Sequence, residues 1–93
     1  MIRALADRVE VTGPMTMAGA AALLTEGEAV ISANPTVFDL AGVTEMDSSC
    51  LAVIFGWMRA ASDAGKTVQL LNTPRNLLSL AEVYGVSDLL PQH

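Results

Sequence analysis

The sequence predicts a single mixed α/β domain spanning residues 1–93, with its elements in the order β-β-α-β-α-β-α. Polar and apolar residues alternate over residues 8–12, which is typical of a half-buried strand. Apolar residues recur at helical spacing over residues 48–64, and glycine or proline bounds most segments. Strands that alternate with helices predict a sheet with right-handed crossovers, covered by helices.

The first two strands are predicted to form a hairpin. Residues 2–5 and 8–12 are its strands, and residues 6–7 are its turn. Gly13-Pro14 follows directly and is expected to end the second strand, because proline lacks the N–H that a sheet interior needs.

A helix and an inner strand come next. Residues 15–33 show helical spacing of apolar side chains, slightly weakened by Gly27, and Asn34-Pro35 is the expected stop. Residues 36–40 are partly β-branched or aromatic and predict an inner strand. Residues 41–46 are then expected to form a loop.

The second helix is predicted over residues 48–64. Asp47 is a candidate N-cap, and Met46 and Leu51 would then form a hydrophobic staple across it. Gly65 should end this helix, and residues 67–71 are predicted to be the last strand.

A third helix should follow Thr73-Pro74, with Thr73 as its N-cap and Pro74 in its first position. Gly85 should close the helix after Tyr84. The tail, residues 87–91, is expected to lie against the domain through its two leucines.

Composition excludes several classes of function. Five basic and ten acidic side chains give a net charge of −5, which disfavours nucleic acid and anionic lipid as partners. One cysteine and one histidine cannot supply a disulfide or a structural zinc site, so no metal or cofactor is expected. Because the chain has neither an apolar run of about 18 residues nor a signal peptide, we expect a cytoplasmic protein without membrane insertion.

The residues do not predict an enzyme. The single histidine, His93, is the last residue, so a Ser-His-Asp or Cys-His triad is disfavoured. Asp39 and Asp47 could form a carboxylate pair, but a backbone-bonded strand residue and a helix cap are the simpler interpretations. Cys50 begins a helix, where the dipole would lower its pKa, yet a buried cysteine is the simpler interpretation there too.

The second helix carries more apolar residues than one buried stripe requires. Leu51, Ile54, Phe55 and Met58 form the stripe that we expect to pack on the sheet. A second stripe lies beside it and consists of Cys50, Val53, Trp57, Ala60 and Ala64. This stripe could pack on a neighbouring helix. Alternatively, a partly exposed Trp57 among small residues would make a docking face for a partner protein.

The middle of the chain resembles the STAS domain, the family of sulfate transporters and anti-sigma factor antagonists. The shared features are a buried strand, the Asp47-Ser48 pair, a small residue and Leu51 at the start of a helix. The resemblance covers most of the chain and implies a STAS-like mixed sheet covered by helices. Residues 80–91 are most similar to the small STAS subunits of bacterial phospholipid-transport ABC transporters. Cys50 departs from the glycine that is usual in the antagonists.

The resemblance implies a non-catalytic cytoplasmic subunit. It would bind and stabilise the ATPase of an ABC transporter that moves phospholipids between the inner and outer membranes and maintains lipid asymmetry. Its location would be peripheral to the inner membrane, through the transporter complex. The partner-binding residues would be Asp47, Ser48, Ser49, Val53, Trp57 and Ala60. Whether the isolated chain forms a homo-oligomer stays open.

The alternative that the resemblance implies is an anti-sigma factor antagonist. Ser48 matches the position that a kinase phosphorylates in those proteins. A phosphate there would be favoured by the helix N-terminus and opposed by the charges of Glu45 and Asp47, so the residues themselves do not decide between the two functions.

Overall fold

A single four-stranded sheet runs through the computed structural model, which describes residues 1–31 and 36–91. The strands lie side by side in chain order, and they are β1 (Ile2–Ala4), β2 (Val9–Met15), β3 (Val37–Met46) and β4 (Gln69–Leu71). The first pair is antiparallel and the other two pairs are parallel. The mixed sheet and the opening hairpin are therefore confirmed.

The described helices follow the predicted order, and they are α1 (Ala20–Ile31), α2 (Ser49–Asp63) and α3 (Arg75–Val83). The bounds of α2 agree with the prediction to within one residue at each end. The first helix begins later than predicted, because Met17–Gly19 forms a 3-10 turn before α1. Its predicted end at Ala33 and the Asn34-Pro35 stop lie outside the described residues.

Strand β2 does not end at Gly13-Pro14, as the sequence predicts, but continues to Met15. Gly13 has a φ of 83°, in the region that glycine favours. The pairing of β2 with β3 shifts register between Gly13 and Met15, so Pro14 falls at an irregularity where the ladder does not need its N–H. The predicted break is therefore wrong because a bulge accommodates the proline.

The predicted loop over residues 41–46 is also wrong, because β3 continues to Met46. Parallel pairing with the extended β2 holds this segment in the sheet, with Thr12 opposite Gly42 and Met15 opposite Met46. The long β3 carries the chain well beyond the end of β4, whose last residue, Leu71, pairs with Asp39.

The last strand and helix differ from the prediction at their starts. Strand β4 begins at Gln69 rather than at residue 67. Helix α3 has Pro74 at its N-cap instead of in its first turn, so Thr73 is not the cap. Gly85 closes the helix with a φ of 71°, as predicted. In the tail, Leu90 is buried whereas Leu89 is 59% exposed.

The core lies between one face of the sheet and the helices. Val9, Phe38 and Leu70 occupy paired positions on adjacent strands and are fully buried. Leu51 and Ile54, which are predicted to pack on the sheet, are buried as well, and so is Leu40 of β3. Phe55 and Met58 of the same predicted stripe are only half-buried and pack at the margin of the core, which corrects the prediction that the whole stripe is buried.

Candidate partner-binding site

Trp57 does not lie on an exposed docking face, and the expectation that it is partly exposed in the isolated chain is wrong. Its side chain has no exposed surface. The indole stacks on Phe38 of β3, with ring centroids 4.5 Å apart and an angle of 18° between the planes. Its Nε1 donates a hydrogen bond to the Leu23 carbonyl of α1 at 3.1 Å. Trp57 therefore joins α2 to both the sheet and α1.

Most of the second apolar stripe faces inward too, although Ala64, at the C-terminal end of α2, is exposed. Val53 is 2% exposed and Cys50 is fully buried, whereas Ala60 is half-buried. Burial, followed by the charge of Asp47, raises the pKa of the Cys50 thiol to about 11, so burial outweighs the helix N-terminus. Val53 and Trp57 cannot contact a partner without unpacking the core. Packing on a neighbouring helix is the interpretation that the structure supports.

Asp47 ties the start of α2 to the end of β2. One carboxylate oxygen, Oδ1, accepts a hydrogen bond from the Ser49 amide at 2.8 Å, and Oδ2 accepts one from the Met17 amide at 3.0 Å. These two amides lower the pKa of Asp47, chiefly through the bond from Met17. The predicted cap is thus present as a carboxylate bound to a helix N–H, although Ser48 holds the formal N-cap position.

Ser48 lies at the outer surface of this turn. Its side chain is exposed and makes no capping hydrogen bond to α2. Ser49 is half-buried and contributes to the hydrogen bonds of Asp47. The structure therefore brings Asp47, Ser48 and Ser49 together at the start of α2 and leaves the Ser48 hydroxyl available to a partner or a modifying enzyme.

An apolar groove opens directly beside Ser48. Its volume is about 380 Å³, and it is lined by Ser48, Leu51, Phe55, Tyr84 and Val86. Tyr84 is 58% exposed, which is unusual for a large aromatic residue. Sequence reasoning missed Phe55, Tyr84 and Val86 as site residues. The available signal was an aromatic residue at the end of a helix, next to the glycine that closes it.

Asp39 and Asp47 do not form a catalytic pair, because they bind different groups on different parts of the fold. Asp39 pairs with Arg8 at 3.3 Å and accepts a hydrogen bond from Asn72 at 2.9 Å. The bond from Asn72, with those from the Ala41 amide and Arg8, lowers the pKa of Asp39. Arg8 is a basic neighbour that sequence reasoning did not find.

Neither a metal site nor a membrane-spanning helix is found within residues 1–31 and 36–91. No group of three or more metal-ligating side chains is gathered in this part of the chain. No helix there combines the length and the apolar character needed to span a bilayer.

Two solved structures share the architecture. The anti-sigma factor antagonist SpoIIAA in its unphosphorylated form superposes with a TM-score of 0.65 at 16% identity, covering 88% of this chain and 80% of SpoIIAA. The phosphorylated form of the Bacillus cell fate determinant SpoIIAA gives a TM-score of 0.66 at 15% identity, covering 100% of this chain and 89% of the other. At these identities the likeness shows the fold.

Sequence similarity reaches a curated protein as well. The intermembrane phospholipid transport system binding protein MlaB of Haemophilus influenzae is 33% identical over 51 residues. That match spans 55% of this chain and about half, 49%, of the Haemophilus protein. The family model described as "Mlab, STAS domain" matches residues 3–91, nearly the whole chain. The chain therefore belongs to the MlaB-type STAS domain family.

Proposed function

We propose that this chain is a non-catalytic accessory subunit that binds and stabilises the ATPase of an ABC transporter moving phospholipids between the inner and outer membranes. Catalysis and nucleotide binding would then reside in the partner. The subunit would act in the cytoplasm, peripheral to the inner membrane through the complex, and would contribute to lipid asymmetry.

The observation that carries the proposal is the exposed Ser48 beside an open apolar groove. Asp47 holds the turn at Ser48 in place, because one of its oxygens binds the Ser49 amide and the other binds the Met17 amide in the 3-10 turn that follows β2. A rigid turn that presents a small polar residue next to an exposed aromatic, Tyr84, suits protein recognition. The proposed partner surface is therefore Asp47, Ser48, Ser49 and the groove, without Val53 and Trp57. Ala60, which is half-buried, stays a proposed contact.

The similarity to the Haemophilus protein, named for phospholipid transport, is the reason to prefer an ABC transporter as the setting. The alternative is an anti-sigma factor antagonist switched by phosphorylation of Ser48. The exposed hydroxyl of Ser48 favours this alternative, since a kinase could reach it. Against it, the Asp47 carboxylate already occupies the Ser49 amide, so a phosphate on Ser48 would meet a like charge.

Capture of the tagged full chain from its native cell lysate separates the two functions. Mass spectrometry would identify the co-purified proteins and the modification state of the Ser48 peptide. The proposal predicts an ABC ATPase and an unmodified Ser48. A kinase-like partner with stoichiometric phosphate on Ser48, and no ATPase, would establish the antagonist instead.

A further inference from the structure

The groove beside Ser48 joins two helix ends that are far apart in sequence. Leu51 and Phe55 lie one turn apart on α2, and Tyr84 and Val86 flank the glycine that ends α3. Leu51 forms the buried floor, being 6% exposed, whereas Tyr84 projects into solvent. An apolar floor with an exposed aromatic wall is the kind of cleft that receives a large side chain from a partner.

The charged residues that flank the groove-lining residues in the sequence are mostly acidic. Within four residues of a lining residue, the sequence places four carboxylates and one guanidinium, namely Glu45, Asp47, Glu82, Asp88 and Arg59. Arg59 lies one turn beyond Phe55 on α2, in the direction away from Ser48. Within four residues of Ser48, Tyr84 or Val86 in the sequence, every charged side chain is acidic.

We infer that the groove binds a basic segment of a partner protein, in which an apolar side chain is flanked by lysine or arginine. The apolar side chain would fill the space over Leu51 against Tyr84, and the cationic side chains would lie at the Ser48 end. Because a second copy of this chain carries the same carboxylates and a net charge of −5, it would meet like charge there. This inference rests on the proposed function and specifies the chemistry of the partner surface.

A set of three labelled peptides tests this chemistry directly. Each has a central Leu-Phe pair flanked on both sides by lysines, by serines or by glutamates, and fluorescence anisotropy measures binding to the full chain. We expect the lysine peptide to bind at least about tenfold more tightly than the serine peptide at low salt, and the glutamate peptide not to bind. The advantage of the lysine peptide should shrink several-fold between about 0.05 M and about 0.3 M salt, because salt screens exposed charges.

Matched variants test whether the lysine peptide binds in the groove. Tyr84→Ser should abolish binding of the lysine peptide, and the double variant Glu82→Gln with Asp88→Asn should remove most of its advantage over the serine peptide. Asp63→Asn is the charge control, because Asp63 lies about 21 Å along the helix axis from Ser49 and should leave binding unchanged. Circular dichroism of each variant verifies that it is folded.

Four results would overturn the inference. The first is equal binding of all three peptides, and the second is binding that persists in a folded Tyr84→Ser. The third is a concentration-dependent dimer of the chain that Tyr84→Ser dissolves, which would make a second copy the occupant. In the fourth, the lysine peptide does not bind, yet the wild-type chain captures the ATPase and Tyr84→Ser does not. This result would reject the basic segment and keep the proposed function. Failure to capture any ATPase would reject the proposed function itself.

Discussion

A side chain at Gly27 would occupy the same space as the indole of Trp57. A Cβ built on Gly27 collides with the indole nitrogen and comes within 2.5 Å of Cε2. The indole cannot move away easily, because it stacks on Phe38 and donates a hydrogen bond to Leu23. Glycine is unfavourable inside a helix, but at position 27 the absence of a side chain lets α1 approach α2 closely.

Gly27→Ala should destabilise the protein despite the better helix propensity of alanine. We expect a net loss of about 2 kcal/mol, because the collision places the cost at the upper end of the range of about 1–3 kcal/mol that is typical of overpacking and propensity offsets up to about 1 kcal/mol. The free energy of unfolding from denaturant titrations measures the effect. Gly19→Ala is the control, since no atom lies within 4 Å of its Cβ position. Gly27→Ala at least as stable as the wild type would refute the close approach.

Tryptophan fluorescence tests the burial of Trp57, the single tryptophan of the chain. We expect blue-shifted emission and weak quenching by acrylamide in the isolated chain, because the indole is fully buried. Binding of a partner should leave the spectrum unchanged. Red-shifted, easily quenched emission that changes on binding would show that Trp57 is exposed and belongs to the partner interface.

Two leucine truncations compare a buried leucine, Leu51, with an exposed one, Leu89. Leu51→Ala should cost about 2–5 kcal/mol of stability, as is typical for a buried leucine. Leu89→Ala, at a leucine that is 59% exposed, should change stability by less than about 0.5 kcal/mol. Denaturant titrations measure both, and similar losses in the two variants would contradict the assigned helix phase.

Acid should weaken the fold through Asp39 and Asp47. Hydrogen bonds lower the pKa of each carboxyl below its ordinary value of 3.8 in the folded chain, so the unfolded chain binds protons first on acidification. Their stabilisation is therefore complete above the unfolded-state pKa and is lost as the pH falls through the lower folded-state pKa.

Denaturant titrations between about pH 2 and pH 6 measure this slope. Asp39→Asn and Asp47→Asn should each flatten the dependence of stability on pH. Ser62→Asn, an exposed change that removes no carboxylate, should keep the wild-type slope. An unchanged slope in both test variants would show that the hydrogen bonds of Asp39 and Asp47 do not persist in solution.

Local patterns predicted the elements of the fold but not the extent of β2 and β3. The helical spacing of Leu51 and Ile54 was sufficient to define α2, because it depends on residues close in sequence. The continuation of β2 past Pro14 and of β3 to Met46 depends on pairing between the two strands. Such pairing is a tertiary effect that neither segment shows alone.

The candidate site was half predicted for the same reason. Asp47 and Ser48 are adjacent in sequence, so their motif could be recognised directly. The groove requires Phe55 of α2 and Tyr84 at the end of α3 to line the same space, and a local pattern does not show that these two segments come together. The predicted exposure of Trp57 was wrong because an apolar stripe indicates only that a helix face is covered. It does not show whether a partner or the same chain covers that face.

The most direct test of the proposed function is the affinity of the purified chain for the ABC ATPase, measured by calorimetry with single variants of exposed serines. Ser48→Arg should weaken binding by at least about tenfold, or about 1.4 kcal/mol, because a bulky cation would block the turn beside the groove. Ser48→Ala should stay within about threefold of the wild type, since it removes only a hydroxyl. Ser62→Arg, near the other end of α2, should bind as the wild type does. Equal affinity of Ser48→Arg and Ser62→Arg would contradict an interface at Ser48.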